Sequence, residues 1–254
     1  MLEKALRAQR ESGRKLLIPY LMGGMTEDWT QSLAAVVAAG ADAVEVGIPF
    51  SDPMMDGPVI QQAALRALQR GTVPAQVLDG ISGAEVVVPV AVMTYYNIVF
   101  RAGLKRMAGS LATAGVSGAI IPDLSLEEIG PWATEADEAG VETVLLVAPS
   151  SPPDRVERIC ERARGFVYAV ARMGVTGERA DLGGEVGAVV ERIRRFTDVP
   201  VCVGVGVSTP DQAAEVCELA DGVVVGSALV RRMLEGEGPD GAAEFVGSLR
   251  SAID

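Results

Sequence analysis

Apolar residues fall along this chain in two alternating textures. The first is a set of short, unbroken, β-branched runs: "KLLIPYLM" (15–22), "DAVEVGI" (42–48), "VVPVAVMTY" (87–95), "GAIIP" (118–122), "ETVLLVAP" (142–149), "GFVYAV" (165–170), "VPVCVGVG" (199–206) and "DGVVVG" (221–226). Runs apolar on both alternate positions belong to parallel strands buried on both faces. The second texture is helical periodicity rich in Ala, Glu and Arg, as in "TEDWTQSLAAVVAAG", "LEEIGPWATEADEAG", "PPDRVERICERARG" and "TPDQAAEVCELA". Several of these segments open on Thr, Asp or Pro and close on Gly, the usual punctuation of a helix. Eight strand–helix units with no composition break predict a single (β/α)8 barrel, with an open doubly wound sheet as the runner-up. Further helices are expected at about 2–12 and about 239–252.

In such a barrel the chemistry sits where strands end, on the C-terminal face. That places Glu45, Asp52 and Asp56 around the second strand, Asn97 after the third and Asp123 after the fourth. Glu45 is the exception within its run, since a glutamate is rarely buried unless it is paired or used. Burial would raise its pKa and let one carboxyl both give and take a proton. The bland alternative is an ion pair with a nearby Arg or Lys. Asp52 and Asp56 lie in "PFSDPMMDGP", where an aspartate beside Pro or Gly is ordinarily a turn or cap residue. "GVGVS" and "VVGSA" put glycines at the ends of the last two strands, each before a helix. At that position the backbone N–H groups of a barrel suit a phosphate. "GVTGERADLGGEV" (174–186) has the length and glycine content of a lid.

Composition narrows the classes. The chain of 254 residues carries 22 Lys and Arg against 34 Asp and Glu, a formal net charge of −12. That balance argues against nucleic acid and anionic membranes as partners. There is no histidine, and Cys160, Cys202 and Cys217 lack the spacing of a zinc site or a redox pair. No metal is expected. The charged opening segment has no apolar signal core and no run reaches a membrane span, so the expected location is cytoplasmic.

Taken together, "GADAVEVGIPFSDPMMDGPVIQ", "VMTYYNIVF", "IIPDL", "GFVYAVARMGVTG", "VPVCVGVGVSTPDQAAEV" and "ADGVVVGSALV" resemble the tryptophan synthase α-subunit family over nearly the whole chain. The resemblance implies retro-aldol cleavage of indole-3-glycerol phosphate to indole and glyceraldehyde 3-phosphate. It implies Glu45 as acid and base, and Asp56 as the anchor of the indole N–H. Tyr168 matches a tyrosine beside the substrate, and Thr176 a lid threonine. Gly177, Gly206, Gly226 and Ser227 match the phosphate site. It also implies a β-subunit partner in an α2β2 tetramer, met by Asp52, Pro53, Asn97 and Phe100. No cofactor is implied for this chain, since pyridoxal phosphate belongs to the β subunit. Two departures are the turn "MGGMTED", where an Asp-Pro turn is common, and Arg172 before "MGVTG". Two alternatives stand beside this reading. One is a stand-alone lyase that supplies free indole, and the other is a silent partner that only activates a β-type enzyme.

Overall fold

The computed structural model describes residues 1–84, 86–171, 182–204 and 206–254. Along the chain run α1 (Leu2–Glu11), β1 (Leu16–Met22), α2 (Trp29–Ala38), β2 (Val44–Gly47), α3 (Pro58–Gln69), α4 (Pro74–Gly83) and β3 (Val90–Met93). Then follow α5 (Tyr96–Ala102), α6 (Leu104–Thr113), β4 (Val116–Ile120), α7 (Gly130–Ala139), β5 (Glu142–Val147) and α8 (Pro153–Arg162). The last elements are β6 (Val167–Val170), α9 (Leu182–Arg194), β7 (Val201–Gly204), α10 (Pro210–Leu219), β8 (Gly222–Val225), α11 (Ser227–Glu235) and α12 (Gly238–Ile253). The eight strands pair in sequence order, all parallel, and β8 closes on β1 from Leu16↔Gly222 to Pro19↔Val225. The expected (β/α)8 barrel is the fold.

Each strand sits where an apolar run lies, with two instructive differences. The third run begins at Val87, but β3 starts at Val90, because Pro89 has no N–H to give to a ladder. Val87 is instead 91% exposed. The fourth strand begins two residues before its apolar run. Val116 pairs with Val90 and Gly118 with Ala91, so Ser117 is absorbed as an irregularity that interrupts the hydrophobic pattern without ending the strand.

Side chains of a strand alternate between faces, and here each face has its own partner. Val44, Val46, Val90 and Val92 point outward into the large cluster shared with the helices. Leu16, Ile18, Ala43, Ala91, Ile120, Val144, Phe166, Cys202 and Val224 point inward and fill the barrel. Helix α1 closes the N-terminal mouth, with Leu2 and Leu6 fully buried among those inner residues. Burying each leucine stabilises the fold by about 1.5–3 kcal/mol. Polar contacts fix the plug: the Glu3 N–H donates to Glu142 at 2.7 Å, and Arg7 donates to Asp198 at 2.7 Å. With the floor filled, a concave site is left at the opposite end. No helix among the described residues is long and apolar enough to cross a membrane.

Candidate active site

The alternation that packs the floor also selects what lines the mouth. On β2 the inward positions run Ala43, Glu45, Gly47, and on β1 they run Leu16, Ile18, Tyr20. Tyr20 and Glu45 are register partners on adjacent strands. Above the inner core lies a cavity of about 290 Å³, near the lower end of what a small ligand needs. One wall is apolar, with Ile60, Met93, Pro122 and Leu146. The opposite wall is glycine-rich, with Gly204, Gly206, Gly226 and Ser227. Tyr20, Tyr168, Glu45 and Asp56 lie between them.

Glu45 is fully buried, and neither carboxyl oxygen has a hydrogen-bond partner among the described residues. The ion pair that a structural glutamate would need is therefore missing among the described residues. Burial, and secondarily the nearby charge of Asp56, push its pKa up to about 8. At neutral pH it is mostly a carboxylic acid poised to exchange a proton.

Asp56 does not cap the helix that follows it. The cap position of α3 is Gly57, with Pro58 in the first turn and no side chain closing the end. The Asp56 side chain lines the cavity instead. Burial raises its pKa, and the neighbouring Tyr95 hydroxyl opposes that rise. The same hydroxyl accepts the Met55 N–H at 3.0 Å, and the Tyr95 ring stacks on Phe50 at 5.0 Å. The start of the loop after β3 thus holds the loop after β2. Asp52 is an ordinary turn residue: it accepts the Ser51 hydroxyl at 2.6 Å and stays exposed. Asp123 likewise has a local task, accepting the Tyr96 N–H at 2.8 Å at the start of α5.

The glycine-rich wall is built from backbone. Helix α11 starts at Gly226 and Ser227 with no side-chain cap, so its first N–H groups are free to meet an anion. Gly206 has φ +81°, a left-handed conformation that glycine adopts without strain. Gly204 is needed for space, since a Cβ there would overlap the Tyr168 ring. Thr176 and Gly177 lie outside the described residues, as do Arg172 and most of the expected lid. Asp52, Asn97 and Phe100 lie exposed on the rim and Pro53 half-buried beside them, away from the cavity lining.

A family model for the tryptophan synthase alpha chain matches residues 6–246. The chain belongs to the tryptophan synthase alpha chain family. It is accordingly a lyase of tryptophan synthesis. The tryptophan synthase alpha chain of Halorhodospira halophila is 48% identical, over 98% of this chain and 94% of that one. That of Streptomyces coelicolor is 45% identical, over 100% of this chain and 94% of that one. Among solved structures, a chain of ligand-free tryptophan synthase from M. tuberculosis superposes with TM-score 0.91 at 36% identity, over 99% and 98% of the two chains. The tryptophan synthase subunit alpha of Legionella pneumophila gives 0.90 at 31%, over 100% and 98%.

Sequence reasoning missed part of this family site. Tyr20, Met93, Pro122 and Leu146 all line the cavity, yet none was singled out from the sequence. The signal was parity: each stands on the inward register of its strand or just beyond it.

Proposed function

We propose that the chain cleaves indole-3-glycerol phosphate to indole and glyceraldehyde 3-phosphate, and that it does so as the α subunit of a tryptophan synthase. The reaction moves one proton from a hydroxyl oxygen to C3 of the indole as the bond between C3 and the hydroxyl-bearing carbon breaks. One carboxyl suffices for that. Glu45 gives its proton to C3, takes the hydroxyl proton as the aldehyde forms, and ends as it began. The Glu45 carboxyl on the cavity floor, without a partner among the described residues, carries this reading. A structural carboxylate would be paired, whereas a proton carrier needs its oxygens free for substrate.

The other assignments follow from the charge each stage develops. Protonation at C3 makes the ring cationic at nitrogen, and an ionised Asp56 holding the N–H stabilises that charge. The apolar wall of Met93, Pro122 and Leu146 accepts the ring. Backbone N–H groups at Gly206, Gly226 and Ser227 take the phosphate, so the acidic net charge is no obstacle. Tyr168 flanks the substrate; Thr176 and Gly177, which the family resemblance adds to the site, lie outside the described residues. Asp52, Pro53, Asn97 and Phe100 are the proposed contacts with the β subunit. That reading draws support from the exposed apolar side chains Met54, Met55 and Phe100 on the same rim. The M. tuberculosis relative was itself crystallised as tryptophan synthase.

The test is indole release by purified chain given indole-3-glycerol phosphate, with and without a cognate β subunit. Slow release that β strongly accelerates is expected. Glu45→Gln should lower kcat by roughly 10²–10⁴-fold while a phosphate-bearing ligand still binds. Activity retained in Glu45→Gln overturns the proton-carrier role. Fast release indifferent to β would mark a stand-alone lyase, and no release under either condition a silent partner.

A further inference from the structure

We infer that the Tyr20 hydroxyl is a substrate-binding group that holds the hydroxyl on the middle carbon of the three-carbon chain of indole-3-glycerol phosphate. The inference rests on the reading of the cavity given above and deepens it.

The strand order supplies the first argument. The glycine-rich phosphate wall ends at β8, the proton carrier stands on β2, and β1 lies between them in the closed ring. Tyr20 is the cavity-lining residue of β1. Its ring lies beside Gly226, where a Cβ would come 3.5 Å from the tyrosine Cβ. Its backbone is in register with Glu45. A molecule with its phosphate at Gly226 and Ser227 and its reacting carbon at Glu45 must pass Tyr20 with the atoms in between. In indole-3-glycerol phosphate those atoms are the glycerol carbons. The hydroxyl next to the ring has to meet Glu45, because it loses its proton there. The middle hydroxyl is left for the group one strand over.

The second argument is the state of the phenol. Tyr20 is 6% exposed, and its one hydrogen bond among the described residues reaches the Met22 thioether sulfur at 4.0 Å. Sulfur is a weak acceptor, so a buried hydroxyl with that partner alone is close to unsatisfied. Space for it has been made: a Cβ on Gly47, at the inward position above Glu45, would overlap the Tyr20 oxygen. A phenylalanine would need less of that space. Burial together with the charges of Asp56 and Glu45 keeps the phenol protonated, so it can donate to one hydroxyl and accept from another.

The experiment compares two ligands in two variants. In the Glu45→Gln background, where turnover is slowed enough for binding to be read, the dissociation constants of indole-3-glycerol phosphate and of indole-3-propanol phosphate are measured by calorimetry. The second ligand keeps the ring and the phosphate but has no chain hydroxyls. Adding Tyr20→Phe should weaken the glycerol phosphate roughly 10-fold or more and leave the propanol phosphate within about twofold. Equal weakening of both ligands, or of neither, overturns the role of the hydroxyl while leaving the function intact. Failure of both to bind Glu45→Gln overturns the reading of the cavity, and this inference with it.

Discussion

Two buried carboxylates three residues apart, Asp42 and Glu45, are treated in opposite ways. Asp42 sits at the floor end of β2 and accepts three donors: Arg14 Nε at 2.8 Å, Arg250 Nη1 at 2.9 Å and the Leu17 N–H at 2.8 Å. Arg250 in turn donates to the Lys15 carbonyl at 2.9 Å, so the end of α12 is clamped to the entry of β1. Glu45, at the mouth, accepts nothing from the described residues. A buried carboxylate with charged partners is a structural element, and removing one partner is strongly destabilising because it leaves an uncompensated buried charge. One without partners is tolerable only as the neutral acid, and it is worth keeping only where something will bind it. On the proposed reading, floor and mouth of the barrel thus separate stability from chemistry along a single strand.

The sharpest way to break the comparison is to orphan the floor. Asp42→Ala leaves the buried Arg250 guanidinium with only the exposed Asp254 carboxylate as counter-charge and should cost about 3–5 kcal/mol of stability. Denaturant unfolding measures that loss. Turnover per folded molecule should stay within about twofold, since the cavity lies at the other end of the strands. A loss of kcat as large as that of Glu45→Gln would show that the two ends are not separable.

At the mouth the expected effect is smaller and depends on pH. The Glu45 carboxyl stays protonated in the folded protein up to about pH 8, against an ordinary value of 4.5. Between those limits the unfolded chain has released the proton and the folded chain has not. Stability from this group is therefore fully present below pH 4.5 and is lost as pH rises to 8. Glu45→Gln removes the dependence. The stability of the variant relative to the wild type should grow by about a few kcal/mol from pH 5 to pH 8.5, as read by urea unfolding at each pH. A flat difference would mean that Glu45 ionises freely and lacks the desolvation assigned to it.

Much of this contrast was legible in the sequence. The strands are uninterrupted apolar runs, which parallel burial requires, and Glu45 stood out because it breaks one. The motif around it carried the family. Asp56 was ambiguous until the chain was seen to cap α3 with Gly57, which freed the aspartate for the cavity. Tyr20 was hidden for a different reason. A tyrosine in "LLIPYLM" reads as core, and only the barrel's closure puts β1 between β8 and β2. The pairing of Asp42 with Arg250 carries no local signal either, because the two are 208 positions apart.

The rim offers a third behaviour and the smallest expected effect on the isolated chain. Phe100 is 65% exposed on α5, with its ring 6.1 Å from that of Tyr96. Exposed in this way it gives the monomer little, and Phe100→Ser should change stability by no more than about 0.5 kcal/mol. Indole release by the chain alone should also be unchanged, because Phe100 does not line the cavity. If the rim is where a β subunit docks, the same substitution removes a large aromatic contact from the interface and should weaken β-dependent stimulation about tenfold. Titrating β against wild type and Phe100→Ser reads this directly. Identical titrations would remove Phe100 from the docking surface, and with it the physical reason for leaving so large a ring in water.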